Sequence, residues 1–261
     1  MIRDVKGTLV VVVIAVVAMV GSFSVPIGRH ARGENPPSKA KAANAPGRLA
    51  DQAALKPLGL FVGSWRGAGQ VERGRTRGAW TENATWAWSL TRDSAALEVK
   101  VARGKYLKSG LLKRGNTPGS VVFEAKLADG SSRQFTGKFS AADEPKPLVL
   151  TATGKTPSGS LARITITPRH ESRLLMLYES ENEEGVLLGR LGEVGFTREG
   201  ISFAAGDSSP VCIVTEGRGT TQVTYKGKTY WVCCSGCKDL FNENPEAVLA
   251  DAAAREKEKK K

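Results

Sequence analysis

The sequence predicts a mainly β protein: an antiparallel barrel or sandwich over residues 55–205, followed by a small α+β unit around a cysteine cluster. Three observations predict it. Residues 55–205 divide into short, β-branched and aromatic segments at nearly even spacing, with no long helical periodicity between them. Turn-forming sequences separate those segments, at Asp129-Gly130, Pro157-Ser-Gly159 and Asn182-Glu-Glu-Gly185. All four cysteines, Cys212, Cys233, Cys234 and Cys237, fall in one window, and the 211 residues before them contain none.

The N-terminus reads differently from the rest. Met-Ile-Arg3-Asp-Val-Lys6 precedes twelve uninterrupted apolar residues, 9–20, the length of a signal-peptide hydrophobic region. Small residues follow at Gly21-Ser-Phe-Ser24, where a signal peptidase would cut, and the lack of charge over 7–28 equally suits an uncleaved anchor. Residues 1–28 are therefore expected to be a signal peptide or N-terminal membrane anchor, placing the protein in the periplasm or cell envelope. No cysteine follows the apolar run, which argues against a lipid-anchored form. Residues 29–54, rich in Pro, Ala and Lys (Asn35-Pro-Pro-Ser-Lys-Ala-Lys-Ala), read as a flexible linker.

Candidate strands in the middle region are 81–88, 97–101, 120–127, 134–139, 148–152, 161–167, 173–178 and 185–190. The region opens with Leu58-Gly-Leu-Phe61-Val-Gly63-Ser-Trp65-Arg-Gly67-Ala-Gly69, a Gly-x-Trp after an apolar lead-in. That opening resembles the first strand of calycin-like barrels, the lipocalin and fatty-acid-binding-protein group. The resemblance implies an up-and-down antiparallel barrel over 55–205, with Trp65 closing one end. It also implies an interior that either takes a small apolar ligand or is filled by side chains, with Trp80, Trp86 and Trp88 as pocket lining or core.

The cysteines are spaced Cys-x20-Cys-x3-Cys, with Cys234 inside the last gap. A cluster of thiols implies one site, and soft thiolates suit Zn²⁺ or Cu⁺. Residues 221–225 and 228–232, joined by Lys226-Gly227, read as a β-hairpin that pairs Val223 with Tyr230 and Thr221 with Val232. The hairpin returns the chain, so that Cys212 and Cys233 meet. Ser235-Gly236 supplies a tight turn, Cys237 opens a short helix over 238–243, and Asn244-Pro245-Glu246 caps a second one running to about residue 255. Val248, Leu249 and Ala252 give that helix a narrow apolar stripe.

At these residues the chain resembles the YHS/TRASH domains. The motifs are Pro210-Val-Cys212, Tyr225-Lys-Gly-Lys-Thr-Tyr230-Trp-Val-Cys233, Cys237-Lys-Asp-Leu-Phe241 and Asn244-Pro245-Glu246. The resemblance implies a treble-clef-like metal-binding module over 207–251, followed by a charged tail at 252–261. It also implies an association with copper, zinc or other heavy metals. The ligand role falls on Cys212, Cys233 and Cys237, with Cys234 as a fourth ligand, a redox partner or a bystander. Three thiolates and a divalent cation leave a charge of about −1, which Lys226, Lys228 and Lys238 would offset unless they are simply solvated. The competing reading is a disulfide staple: four cysteines allow three pairings, and export favours oxidation.

The formal charge of +12 is diffuse, with seven basic and two acidic residues in 1–49, 22 and 16 in 50–205, and nine and eight in 206–261. No basic run is interleaved with aromatics, so no nucleic-acid partner is expected. The two histidines, His30 in the linker and His170 at a strand end, have no spacing that makes them ligands or bases. No enzyme is expected; a redox role for Cys234-x-x-Cys237 is the least implausible exception. The sequence thus predicts an exported protein that captures, senses or delivers one Zn²⁺ or Cu⁺ ion. The alternative is a carrier of a small apolar ligand, or an envelope scaffold, stapled by structural zinc or a disulfide.

Overall fold

The computed structural model describes residues 46–139, 146–200 and 209–260, with His170 as backbone only, and all of them fall in one compact unit. The expected signal or anchor segment, residues 29–45 with His30, and Lys261 lie outside the described residues. Among the described residues no helix is long and apolar enough to cross a membrane.

The end of the expected linker is helical. Helix α1 (Pro46–Leu55) leads into a short 3-10 helix, Lys56–Phe61. Tertiary contacts, invisible in the composition, order it. Arg48 is buried and pairs with Asp251 at 3.8 Å. Asp51 accepts from the Ala95 N–H at 3.2 Å and pairs with Arg114 at 2.8 Å. Leu55, Leu58 and Phe61 bury their side chains at the end of the barrel that follows.

Ten antiparallel strands form that barrel: β1 (Gly63–Gln70), β2 (Trp80–Leu90), β3 (Ala95–Ala102), β4 (Leu107–Arg114), β5 (Ser120–Leu127), β6 (Ser132–Lys138), β7 (Leu148–Ala152), β8 (Leu161–His170), β9 (Arg173–Glu181) and β10 (Leu187–Arg198). Each pairs with its neighbour in sequence, and β1 pairs with β10 to close the cylinder, which leaves no free edge. Alternation along β2 turns Glu82, Ala84, Trp86 and Trp88 inward and buries them. Trp65, Trp86, Phe123, Phe135, Tyr178 and Phe196 are each less than 2% exposed and fill the interior. Gly69 is required by that packing, since a Cβ there would stand 2.1 Å from the Trp80 ring.

Trp65 is buried near the start of β1. Its Nε1 donates to the Phe61 carbonyl at 2.7 Å, and the Arg198 guanidinium lies 4.1 Å from its ring centre. Arg198 also donates to the carbonyls of Leu60, Val62 and Glu171, joining the last strand to the lead-in. Two strand assignments change. The candidate strand 185–190 begins at Leu187, because Gly185, at φ 82°, belongs to a turn organised by Asn182, and it then continues to Arg198. Strand β4 has no sequence counterpart: its Lys, Ser and Gly residues mask the alternation.

The C-terminal unit comprises β11 (Thr221–Tyr225), β12 (Lys228–Val232), α2 (Ser235–Glu243) and α3 (Pro245–Lys259). Lys226 and Gly227, at φ 47° and 74°, make the two-residue turn, and the register pairs Val223 with Tyr230 and Thr221 with Val232 as expected. Asn244 caps α3 by accepting from the Ala247 N–H at 3.1 Å. The expected charged tail is the end of that helix. Arg255 donates to the Ile213 carbonyl at 2.7 Å, and Lys259 pairs with Glu216 at 2.6 Å, which holds α3 in place as far as its last turn.

This unit and the barrel share one apolar core. Helix α2 lies on β2 so closely that a Cβ on Gly236 would fall 1.8 Å from the Trp88 carbonyl oxygen. Close approach, with turn flexibility playing no part, is therefore why glycine stands at 236. Glu216 makes a second tie, pairing at once with Lys56 of the lead-in and Lys259 of α3.

Two predictions follow from this packing. Gly236→Ala will lower stability by about 1–3 kcal/mol although alanine favours helix, because α2 must lift off β2. A denaturant melt showing equal or greater stability would refute that account. Hydrogen bonds from Lys259 and Lys56 also hold the Glu216 carboxyl at about 2, below the ordinary glutamate value of 4.5. Folding lowers this pKa, so the stabilisation is complete above the ordinary value and fades as pH falls toward 2. Metal-free wild type will accordingly be more stable than Glu216→Gln at neutral pH, and the difference will vanish in acid; a gap independent of pH contradicts the clamp.

Candidate metal centre

The centre is assembled from three pieces of chain. The first is a knuckle at 210–219. Val211 and Arg218 form an antiparallel bridge, the Cys212 N–H donates to the Gly217 carbonyl at 2.7 Å, and the Glu216 N–H returns to the Cys212 carbonyl at 2.9 Å. The loop reverses at Glu216, at φ 60°, and turns Cys212 inward. Gly219 permits the knuckle to lie on the hairpin, since a Cβ there would stand 2.7 Å from that of Trp231. Hydrogen bonds from the Ile213 N–H to the Trp231 carbonyl and from the Thr220 N–H to the Val232 carbonyl fix it there. The second piece is the end of β12, which delivers Cys233. The third is the first turn of α2, which delivers Cys237.

The Sγ atoms of Cys212, Cys233 and Cys237 lie within 4.8 Å of one another, and all three side chains are buried. The Cys233 and Cys237 sulfurs are 3.5 Å apart. Sulfurs bound to one tetrahedral zinc at about 2.3 Å stand about 3.8 Å apart, so the triad fits such an ion. Thr215, absent from the sequence reading, places its hydroxyl 3.5 Å from the Cys233 sulfur. Its position three residues after Cys212 carries no pattern that marks it. Thr220 donates to the Cys233 carbonyl at 3.0 Å and fixes that residue's backbone.

Cys234 falls outside the triad. Its sulfur is 3.7 Å from that of Cys233 and accepts a hydrogen bond from the Trp88 N–H of the barrel at 3.3 Å. The lysines follow the solvated alternative. Lys226 pairs with Glu246 at 2.8 Å, and Lys228 and Lys238 are exposed. Among the described residues no lysine hydrogen-bonds to a thiol. The side chain of His170 lies outside the described residues.

The sulfurs lie close enough that the ionisation of each depends on its neighbours. Hydrogen bonds from the Cys233 and Cys237 thiols push Cys212 down, toward the thiolate, and donating to Cys212 pushes both donors up. Cys234 is pushed down by the Cys233 and Cys237 thiols and by the main-chain N–H groups of Cys237 and Trp88. A thiophilic cation bound here would displace the thiol protons, because the thiolate is the ligand form.

No curated protein matches the chain. Among solved structures, the crystal structure of Rv2717c from M. tuberculosis is similar at 19% identity, with a TM-score of 0.36, over 56% of this chain and 97% of that one. Residues 208–249, which hold the knuckle, the hairpin, α2 and the start of α3, match the YHS domain family.

Proposed function

We propose that this chain is an exported metal-handling protein that captures a thiophilic ion, Zn²⁺ or Cu⁺, for sensing or delivery. The observation that carries the reading is the triad itself: three buried thiols from separate pieces of chain, in contact range of one another, within a YHS domain. Packing alone would rarely place so much titratable sulfur together in an apolar core. Binding, with no chemical turnover, is the activity this donor set supports, and the apolar segment at 9–20 supports export. The filled barrel serves in this reading as the platform on which the centre is built.

The test is metal content. Anaerobically purified protein lacking residues 1–28 will carry about one equivalent of Zn or Cu per chain. Cys233→Ser will lose it and unfold the C-terminal unit more readily, since a structural ion of this type contributes on the order of 10 kcal/mol to a small fold. Unchanged metal content in Cys233→Ser, measured by elemental analysis, would overturn the assignment.

A further inference from the structure

Cys234 differs from the triad in burial, direction and partner. Cys212, Cys233 and Cys237 are buried, whereas Cys234 is only partly buried. Its backbone is extended, at φ −160° and ψ 176°, and its sulfur lies 3.7 Å from that of Cys233 without joining the three that all lie within 4.8 Å of one another. It leaves toward the barrel, where the Trp88 N–H meets it. There it borders an open cleft of about 830 Å³ between the barrel end and the knuckle. Of the four cysteines only Cys233 and Cys234 line that cleft, together with Trp88, Thr215, Arg198 and Arg218. Arg218 is exposed and makes no ion pair among the described residues. Sulfur–sulfur steps of 3.7 Å from Cys234 to Cys233 and 3.5 Å from Cys233 to Cys237 run from the cleft to the buried triad.

Resting on the metal-handling reading above, we propose that Cys234 is the entry ligand of the centre: it takes the ion from a labile small-ligand complex in the cleft and passes it inward. Thiolate-bound d¹⁰ ions exchange ligands one at a time, so a sulfur at the mouth of a closed site shortens the path for every exchange. In the first step the Cys234 sulfur forms a bond to the ion as one bond from the incoming complex breaks. The Cys234 proton leaves to the departing ligand or to water. In the second step Cys233, then Cys237 and Cys212, form bonds and release their protons, the last incoming ligand departs, and the bond to Cys234 breaks. Cys234 then regains a proton and its hydrogen bond from Trp88. The ion keeps its oxidation state throughout. Lys56, Arg198 and Arg218 line the cleft together with Glu171, Glu199 and Glu216, so basic and acidic side chains balance there.

The experiment follows zinc loading by stopped flow, from a chromophoric chelator complex, into metal-free wild type, Cys234→Ser and Cys234→Ala. Thermal melts check that each variant is folded. Both variants will still hold one equivalent with affinity close to wild type, but will load and release about tenfold or more slowly. Equal slowing of loading and release leaves affinity unchanged, which is the signature of a relay. Variants that load as fast as wild type overturn the proposal. Variants that lose the bound equivalent also overturn it, because Cys234 would then be a resident ligand. Failure of wild type itself to take up zinc or copper would instead refute metal handling.

Discussion

Everything in the C-terminal unit serves one demand: three sulfurs separated by 21 and 4 positions along the chain must share a buried volume a few ångströms across. Uncompensated, that arrangement is unfavourable, because the thiolates repel and the thiols gain little from burial. The knuckle hydrogen bonds hold Cys212, the hairpin register sets where Cys233 emerges, and the first turn of α2 returns Cys237 to it. Loss of any one would leave the other sulfurs without a shared point. A bound cation would compensate the arrangement, and the free energy of binding it would then also be folding free energy.

The barrel is part of this centre as well as its neighbour. The Trp88 N–H bonds the Cys234 sulfur, the Trp88 carbonyl presses on Gly236, and Glu216 of the knuckle reaches Lys56 ahead of β1. Arg48 of α1 pairs with Asp251 of α3, so the two ends of the described chain are tied as well. With a common apolar core beneath these contacts, binding of an ion at the centre would couple to barrel stability through linkage. This differs from a metal module carried on a flexible tether.

Much of this was legible in the sequence, for physical reasons. The hairpin register follows from a two-residue turn whose Lys-Gly pair adopts positive φ, and the alternation along strands such as β2, β5 and β9 follows from one buried barrel face. The cysteine spacing marked one cluster because the chain has no cysteine outside it, and the YHS resemblance singled out Cys212, Cys233 and Cys237 within it. What escaped depended on tertiary contact. Helix α1 is ordered by ion pairs to distant residues, which composition cannot reveal. The last turn of α3 is fixed by Glu216 and Ile213, so a run of charges that reads as a solvated tail is helix. Strand β4 hides its alternation behind Lys and Gly. The special position of Cys234 needed Trp88, 146 residues away, to become visible. Lys226, left in the sequence as either a counter-charge to the thiolates or a solvated residue, pairs instead with Glu246 at the hairpin tip.

The central claim is that Cys212, Cys233 and Cys237 jointly ligate one thiophilic ion. X-ray absorption at the zinc or copper edge of anaerobically purified protein tests it most directly. The account predicts a first shell dominated by about three sulfurs at roughly 2.3 Å. A shell of oxygen and nitrogen alone, or protein without metal whose thiols are joined as disulfides, would contradict it.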